Sequence, residues 1–393
     1  MDVEMPFNAV QSKPRETYRI LMLLTNAFDP DPRVHKEAKS LVHNGYDVTI
    51  ICWDRDLKAP AREVIDGIKV ERIYVQSTHA RGTSQAAYLL LFWIKAFILA
   101  LRKKPDAIHC HDFDTLPPGY LLSRVKSAKL VYDAHESYVD MLNGIPHWLK
   151  RAISTLENFL LPGSNLVITV GEILREHLEN RGARRSCVVG NWKDPEDFVF
   201  PIELINAEKD RLGISKEQMI VCFIANLGYE RQLPELIEAV KRNPDVFLIL
   251  GGNGPAKSLA QEASVKHPNI SYLGYVHPSK VPFYTALSDV IFYGFDKKNP
   301  NARFSAPNKL FEALAAGKAI IAGDFGELSK IVKETGCGVL LSSYSPERIS
   351  AALGQMDSGK LEWIKERSDQ AARNIYNWKE AHRQLIREYE YLL

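Results

Sequence analysis

Short apolar, β-branched runs alternate along the chain with stretches whose apolar residues recur every three or four positions. The first pattern predicts buried strands and the second predicts amphipathic helices. The strand-like runs are 20–24, 48–52, 68–73, 107–110, 130–132, 167–170 and 187–189, then 220–224, 246–250, 270–273, 290–292, 319–322 and 339–341. Helical patterns fall between most of them, among them 32–44, 153–161, 172–181, 233–240 and 310–316. Alternation of strand and helix implies doubly wound α/β domains with parallel sheets. Many of the strands are apolar on successive residues, as expected where helices cover both faces of a sheet. So many strands exceed one comfortable open sheet, so two sheets of six or seven are expected. The break is placed near 190–201 (GNWKDPEDFVFP), which is rich in turn formers and charge. This predicts a Rossmann-like domain over 1–192 and a second over 193–377.

Composition narrows the function classes. With 46% hydrophobic and 25% charged residues, the chain reads as an ordinary folded protein. A formal net charge of +2 carries no basic excess of the kind a dedicated nucleic-acid binder shows. The five cysteines stand singly with no C-x-x-C pair, which excludes a zinc ribbon or a thioredoxin-type motif. Such dispersed thiols suit a reducing, cytoplasmic setting. Residues 1–19 lack the basic-then-apolar order of a signal peptide. The longest apolar run, 86–101, is shorter than the roughly 20 residues a spanning helix needs.

In open parallel sheets, ligands bind beyond the carboxyl ends of the strands. Polar or glycine-rich segments follow strand after strand here: 25–33 (TNAFDPDPR), 111–114 (HDFD), 133–136 (DAHE), 225–232 (ANLGYERQ), 251–255 (GGNGP), 292–294 (FYG) and 323–327 (GDFGE). They predict two ligand-binding rims. His109 and His111 flank Cys110 at strand spacing and so share a face. A metal pair is conceivable, but no third ligand is indicated, and contact of His111 and Asp112 with a substrate is the better functional reading. Three Asp-x-Asp triplets (Asp29/Asp31, Asp54/Asp56, Asp112/Asp114) carry little weight. Gly252-x-Gly254 invites a dinucleotide reading, but Lys257 stands where the third glycine belongs. A tight strand-to-helix turn explains that pair equally well.

The richest segment is 301–318 (NARFSAPNKLFEALAAGK). Pro307 suits the first turn of a helix, with Ser305 or Ala306 near the cap. Lys309 and Glu312 then lie on one helix face. Free amides and Lys309 would meet a diphosphate, and Glu312 would accept hydrogen bonds from a ribose. A solvent-exposed Lys–Glu pair is an equal reading of the spacing.

Taken together, these stretches resemble the retaining glycosyltransferases of family 4. The resemblance runs through DPRVHKEAKSLVHNGYDVTII, IHCHDFDTLPPGYLL, LVYDAHE, LVITVGEILREHL, IANLGYERQLPELIEAV, LILGGNGPAKSLAQEA, PNKLFEALAAGKAII and GELSKIVKETGCGVLL, in the family's order and over nearly the whole chain. It implies a GT-B fold, two Rossmann-like parallel-sheet domains facing each other across a cleft, with a last helix over 378–393 crossing back to the first domain. It implies sugar transfer from a nucleoside-diphosphate sugar to a hydroxyl of a glycan or lipid-linked acceptor, in polysaccharide or glycolipid synthesis, with no cofactor and no metal. His111 matches the active-site histidine. Arg231 and Lys309 match phosphate-binding cations, with Asn226, Gly228, Gly252, Asn308 and Glu312 completing the donor side. Asp31, Arg33, Asp112 and His135 fall on the acceptor side. Two features depart from the pattern: Asn226 replaces an arginine, and Phe304 stands where the first glutamate of E-x7-E belongs. Two rival readings are a sugar-nucleotide epimerase on the same fold and a sugar-nucleotide-binding subunit with weakened catalysis.

One stretch is left over. Residues 88–101 (YLLLFWIKAFILAL) are apolar almost all round, and Arg102, Lys103 and Lys104 follow at once. An all-round apolar helix must be covered on both sides. Peripheral contact of Tyr88 to Lys104 with the inner face of the cytoplasmic membrane is one expectation, with Trp93 at the interface. A core or dimer helix is the other.

Overall fold

The computed structural model describes residues 17–29, 31–77, 83–142 and 144–393. The chain divides into two compact units, 1–131 with 390–393, and 132–389.

The first unit runs β1 (Arg19–Leu24), α1 (Pro32–His43), β2 (Asp47–Asp54), β3 (Arg62–Ile65), β4 (Ile68–Tyr74), α2 (Thr83–Leu101), β5 (Ala107–His111) and α3 (Leu116–Lys126). Its strands lie in the order β3-β4-β2-β1-β5. The pairs β2–β4, β1–β2 and β1–β5 are parallel, as the alternation predicts. Residues 20–24 of β1 are all buried, which is why that strand is apolar without a break. β3 is a strand the apolar pattern misses. It pairs antiparallel with β4 through Asp66-Gly67, both at positive φ. Asp-Gly between two extended runs is the sequence signal of a two-residue hairpin.

Helix α2 is amphipathic in place rather than in composition. Phe92, Ala96 and Ala100 are buried, and Phe92 stacks on Trp53 of β2 with ring centroids 5.4 Å apart. Leu90, Leu91, Ile94, Ile98 and Leu101 are exposed on the outer side. Trp93 departs from expectation. Its indole Nε1 donates to the Asp114 carbonyl at 2.6 Å, which turns the ring inward. The neighbouring helix α3 exposes Leu121 and Val125 one turn apart. No helix among the described residues is long and apolar enough to cross a membrane.

Strand β6 (Lys129–Ala134) carries the chain into the second unit. There follow α4 (Tyr138–Met141), α5 (His147–Leu160), β7 (Leu166–Thr169), α6 (Glu172–Glu179) and β8 (Ser186–Val188). Residues 189–194 carry neither helix nor strand. Then come α7 (Ile202–Leu212), β9 (Met219–Ile224), α8 (Leu233–Lys241), β10 (Val246–Gly251), α9 (Lys257–Lys266), β11 (Ile270–Tyr272), α10 (Val281–Leu287) and β12 (Val290–Tyr293). The unit continues with α11 (Asn308–Ala315), β13 (Ala319–Gly323), α12 (Gly326–Thr335), β14 (Gly338–Leu341), α13 (Pro346–Gly354), α14 (Ser358–Asn374) and α15 (Trp378–Leu392).

Six of these strands form an all-parallel sheet in the order β11-β10-β9-β12-β13-β14. Val221, Phe223, Leu248, Leu250, Phe292 and Ile321 fill the core on one face of this sheet. Ile220, Phe247 and Ile249 pack with Leu287 on the other. Because all six strands run parallel, every β-to-α loop of this sheet emerges at the same carboxyl rim.

Candidate active site

The loops of that rim are stitched to one another by backbone bonds. Leu227 N–H donates to Asn253 O at 2.9 Å, and Ala256 N–H donates to Leu227 O at 2.8 Å. Asp296 N–H donates to Glu230 O at 3.1 Å. The segments after β9, β10 and β12 therefore hold each other. Gly252 makes the first contact feasible. Its φ is +126°, and a Cβ there would sit 1.9 Å from Ala225 O. The glycine serves close packing of two rim loops.

Asn226 and Gly228 lie in the loop after β9, and Arg231 ends a short 3-10 turn there, 229–231. The Arg231 guanidinium lies over the Phe295 ring at 4.4 Å and donates from Nη1 to the Tyr293 hydroxyl at 3.2 Å.

Helix α11 begins at Asn308, with Pro307 itself at the cap position in extended conformation. The cap thus falls one or two residues later than Ser305 or Ala306. Proline offers no side-chain acceptor, so the leading amides have no side-chain cap. Lys309 Nζ meets Glu312 Oε2 at 2.7 Å, and both side chains are largely buried. The pair is therefore not a solvent-exposed ornament of the helix. Beneath it, burial pushes the Cys222 thiol of β9 up to about 12, while Lys309 pulls it down and Glu312 up. Burial likewise raises Cys52, Cys110 and Cys337, so these thiols are inert as nucleophiles. All five cysteines are buried and none is in a disulfide.

The 301–307 loop leading into α11 is fixed by residues distant in the sequence. Asn301 is buried, donates from Nδ2 to Glu136 Oε2 at 2.8 Å, and accepts from Ser137 N–H at 3.1 Å. Beside Glu136, His135 Nε2 lies 2.8 Å from Asp133 Oδ2. Phe304 is buried against His177 of α6, with ring centroids 4.8 Å apart. At the next helix, Glu327 accepts from the first amides of α6, Glu172 N–H at 3.0 Å and Ile173 N–H at 2.7 Å.

In the first unit, His111 ends β5 and is buried, its ring stacked on His109 at 4.3 Å. Asp112 follows at φ +60° and ψ 166°, a backbone region costly for any side-chain-bearing residue. Strain of that kind recurs where a chain must place a particular group. Asp31 caps α1, accepting from Val34 N–H at 3.1 Å and from Asn26 Nδ2 at 2.8 Å. Arg33 is buried and lies 3.0 Å from Glu37 Oε1. Glu37 is the third potential metal ligand that strand spacing does not reveal, 3.7 Å from His109 Nε2 and close to His111 as well. The Arg33 charge already neutralises that carboxylate and opposes a cation there.

Sequence reasoning placed Tyr293, Asn301 and Glu327 inside rim or motif segments without giving them a role, and it passed over Glu37 and Phe295. Two signals were available: Glu37 stands four residues after Arg33 on one helix face, and Tyr293 and Phe295 alternate at the end of β12.

Residues 30–192 match the glycosyl transferase 4-like domain, and residues 205–378 match the domain of glycosyl transferases group 1. An uncharacterized glycosyltransferase of Methanocaldococcus jannaschii is 24% identical over 90% of this chain and 92% of its own length. The phosphatidyl-myo-inositol mannosyltransferase of Mycobacterium tuberculosis is 28% identical over 72% of this chain and 73% of its own. Among solved structures, Anabaena HepE in complex with UDP-glucose superposes with a TM-score of 0.72 at 16% identity, covering 95% of this chain and 99% of that one.

Proposed function

The chain belongs to the group 1, family 4-like glycosyltransferases, and we propose that it moves a hexose or related sugar from a nucleoside-diphosphate sugar to a hydroxyl of a glycan or lipid-linked acceptor, retaining the anomeric configuration and using no metal. Its fold is GT-B, with two parallel-sheet α/β domains. The observation that carries the donor reading is the largely buried Lys309–Glu312 pair at the start of α11, where a cation and a carboxylate meet uncapped helix amides.

The roles follow from where charge develops. As the glycosidic bond breaks, negative charge grows on the leaving phosphate oxygens. Arg231, Lys309 and the leading amides of α11 stabilise that charge in place. Asn308 contributes the first of those amides. Glu312 accepts hydrogen bonds from the ribose hydroxyls, and Asn226, Gly228 and Gly252 shape the backbone of the donor loops. His111 acts beside the donor sugar. The leaving phosphate itself takes the acceptor proton on the same face, so no carboxylate nucleophile is needed. Asp31, Arg33, Asp112 and His135 line the acceptor side. Asp31 and Arg33 act there through structure, since the first caps α1 and the second holds Glu37.

A lipid-linked acceptor agrees with the outer face of α2. Leu90, Leu91, Ile94, Ile98 and Leu101 form an exposed apolar stripe, and Arg102 and Lys104 are exposed at its end. That combination suits an anionic bilayer surface and supports the reading that the enzyme works at the inner face of the cytoplasmic membrane. The mannosyltransferase relative is named for a lipid acceptor.

The test is a panel of nucleoside-diphosphate sugars, beginning with UDP-glucose. Each is screened for thermal stabilisation and then for turnover on polyprenyl-linked and diacylglycerol-linked acceptors. The proposal expects one donor to stabilise the protein and to be consumed only with acceptor, giving a product of unchanged anomeric configuration by NMR. EDTA should leave the rate intact. Conversion of the sugar without acceptor would mark an epimerase. Tight binding with no turnover on any acceptor would mark a binding subunit.

A further inference from the structure

The donor reading gives Arg231 a task but does not explain its surroundings. A guanidinium that must meet a phosphate usually projects from a loop into water, where it samples many rotamers. Here it is held on two sides. Its charge centre lies 4.4 Å from the Phe295 ring centroid and 5.6 Å from that of Tyr293. The two rings are themselves parallel within 6°, centroids 6.2 Å apart. The Tyr293 hydroxyl accepts a hydrogen bond from Arg231 Nη1 at 3.2 Å.

The cradle is itself anchored. Tyr344 donates its hydroxyl to Tyr293 O at 3.3 Å and accepts from Phe295 N–H at 3.4 Å, so one side chain fixes both aromatic residues by their backbone. Burial pushes the Tyr344 hydroxyl up to about 12, so it stays protonated and keeps donating. Between the two rings stands Gly294. A Cβ there would lie 2.1 Å from Arg231 O, so any larger residue would push the arginine's backbone off the aromatic pair. The Arg231 Nε is buried and has no partner among the described residues. With Nη1 committed to Tyr293 and Nε buried, Nη2 is the nitrogen left to meet an anion.

We propose that Tyr293 and Phe295 are positioning residues that hold the Arg231 guanidinium in place for the donor diphosphate. This rests on the donor reading above. Guanidinium is weakly hydrated and lies readily on an aromatic face. Ordering it during folding removes that cost from ligand binding. The aromatic pair therefore acts on the phosphates alone and makes no contact with base or ribose.

The test measures affinity of the full chain for UDP, GDP and ADP and for the parent nucleosides by calorimetry, with KM and kcat for the donor. Tyr293→Phe and Phe295→Leu should each weaken the preferred diphosphate about threefold to tenfold. Donor KM should rise accordingly, while nucleoside affinity is unchanged. Phe295→Tyr, which keeps a ring, should restore affinity. In an Arg231→Ala background, neither Tyr293→Phe nor Phe295→Leu should have any further effect. Equal losses for nucleoside and diphosphate, or losses that persist without Arg231, would show a merely structural role and overturn the inference. If wild type binds a diphosphate and Arg231→Ala binds it as well, the inference falls while the donor reading stands. If wild type binds none of the three diphosphates, the donor reading falls and takes this inference with it. Tyr293→Phe removes a single hydroxyl, and its melting temperature shows whether the fold is kept.

Discussion

Phe304 lies with its ring centroid 4.8 Å from that of His177, and it is only 5% exposed. This is the position at which the family pattern places a glutamate. The phenylalanine does not face a ligand with a missing group; it fills a space against helix α6. Restoring the glutamate should therefore not restore a sugar contact. Phe304→Glu buries a carboxylate in a pocket shaped for a ring, at a cost of about 1 to 3 kcal/mol. Urea unfolding should show that loss, and donor affinity should not improve. A variant as stable as wild type that bound donor more tightly would contradict this packing role.

His177 also gives the protein a pH response. Burial first, then the Arg181 and Arg303 charges, hold the imidazole below its ordinary value of 6.5, with Asp140 pulling the other way. The folded state thus prefers the neutral ring. Where the folded pKa is depressed, the unfolded chain takes up its proton first as pH falls. The stability from this site is complete above pH 6.5 and is lost as pH falls from there through the folded pKa. His177→Gln should flatten that part of the stability–pH curve relative to wild type. Parallel curves for the two proteins would remove His177 as the cause.

The fold was legible because its strands are buried on both faces, so their apolar runs stand out. The exception is β3 (REVI), whose residues alternate exposed and half-buried. Only two of its four residues are apolar, and its signal lay in the Asp66-Gly67 turn instead. Lys309 and Glu312 were legible because helix periodicity alone puts them together. Glu37 and His109 were not, because one comes from α1 and the other from β5. Asn301 and Glu136 are 165 residues apart and lie in separate segments, so only the fold joins them. The missing glutamate at 304 was visible in the sequence, whereas its replacement partner, His177, was not.

The Lys309–Glu312 pair separates charge from recognition. Lys309→Ala should remove stabilisation of the leaving phosphate worth about 2 to 4 kcal/mol in kcat, as loss of an oxyanion donor does elsewhere. Glu312→Gln should act differently, blunting the preference for ribose over 2′-deoxyribose diphosphates by about 1 to 3 kcal/mol. Both effects are read from steady-state rates and competition binding with saturating acceptor. Wild-type turnover in Lys309→Ala, or unchanged ribose discrimination in Glu312→Gln, would reduce the pair to a helix-stabilising contact.

The outer face of α2 makes the last prediction. Ile94 is 49% and Ile98 52% exposed, while the opposite face is spent on Phe92, Ala96 and Ala100. Trp93 is committed to the Asp114 carbonyl, so the aliphatic stripe, not the indole, would meet lipid. Lys103 is committed as well, 2.7 Å from Glu71 Oε1. Arg102 and Lys104 are the cations to remove. Because both isoleucines are solvent-facing, Ile94→Ser with Ile98→Ser should change stability by no more than about 0.5 kcal/mol per site. The same pair should abolish flotation with phosphatidylglycerol liposomes at low salt. Arg102→Gln with Lys104→Gln should leave weaker binding that vanishes as salt rises, since the remaining attraction to the anionic surface is screened over about 10 Å at 0.1 M. Wild type should float and sediment as a monomer in the absence of lipid. If it instead sediments as a dimer that the serine pair dissociates, and liposomes recruit neither form, this face joins two copies of the chain and the membrane reading is wrong.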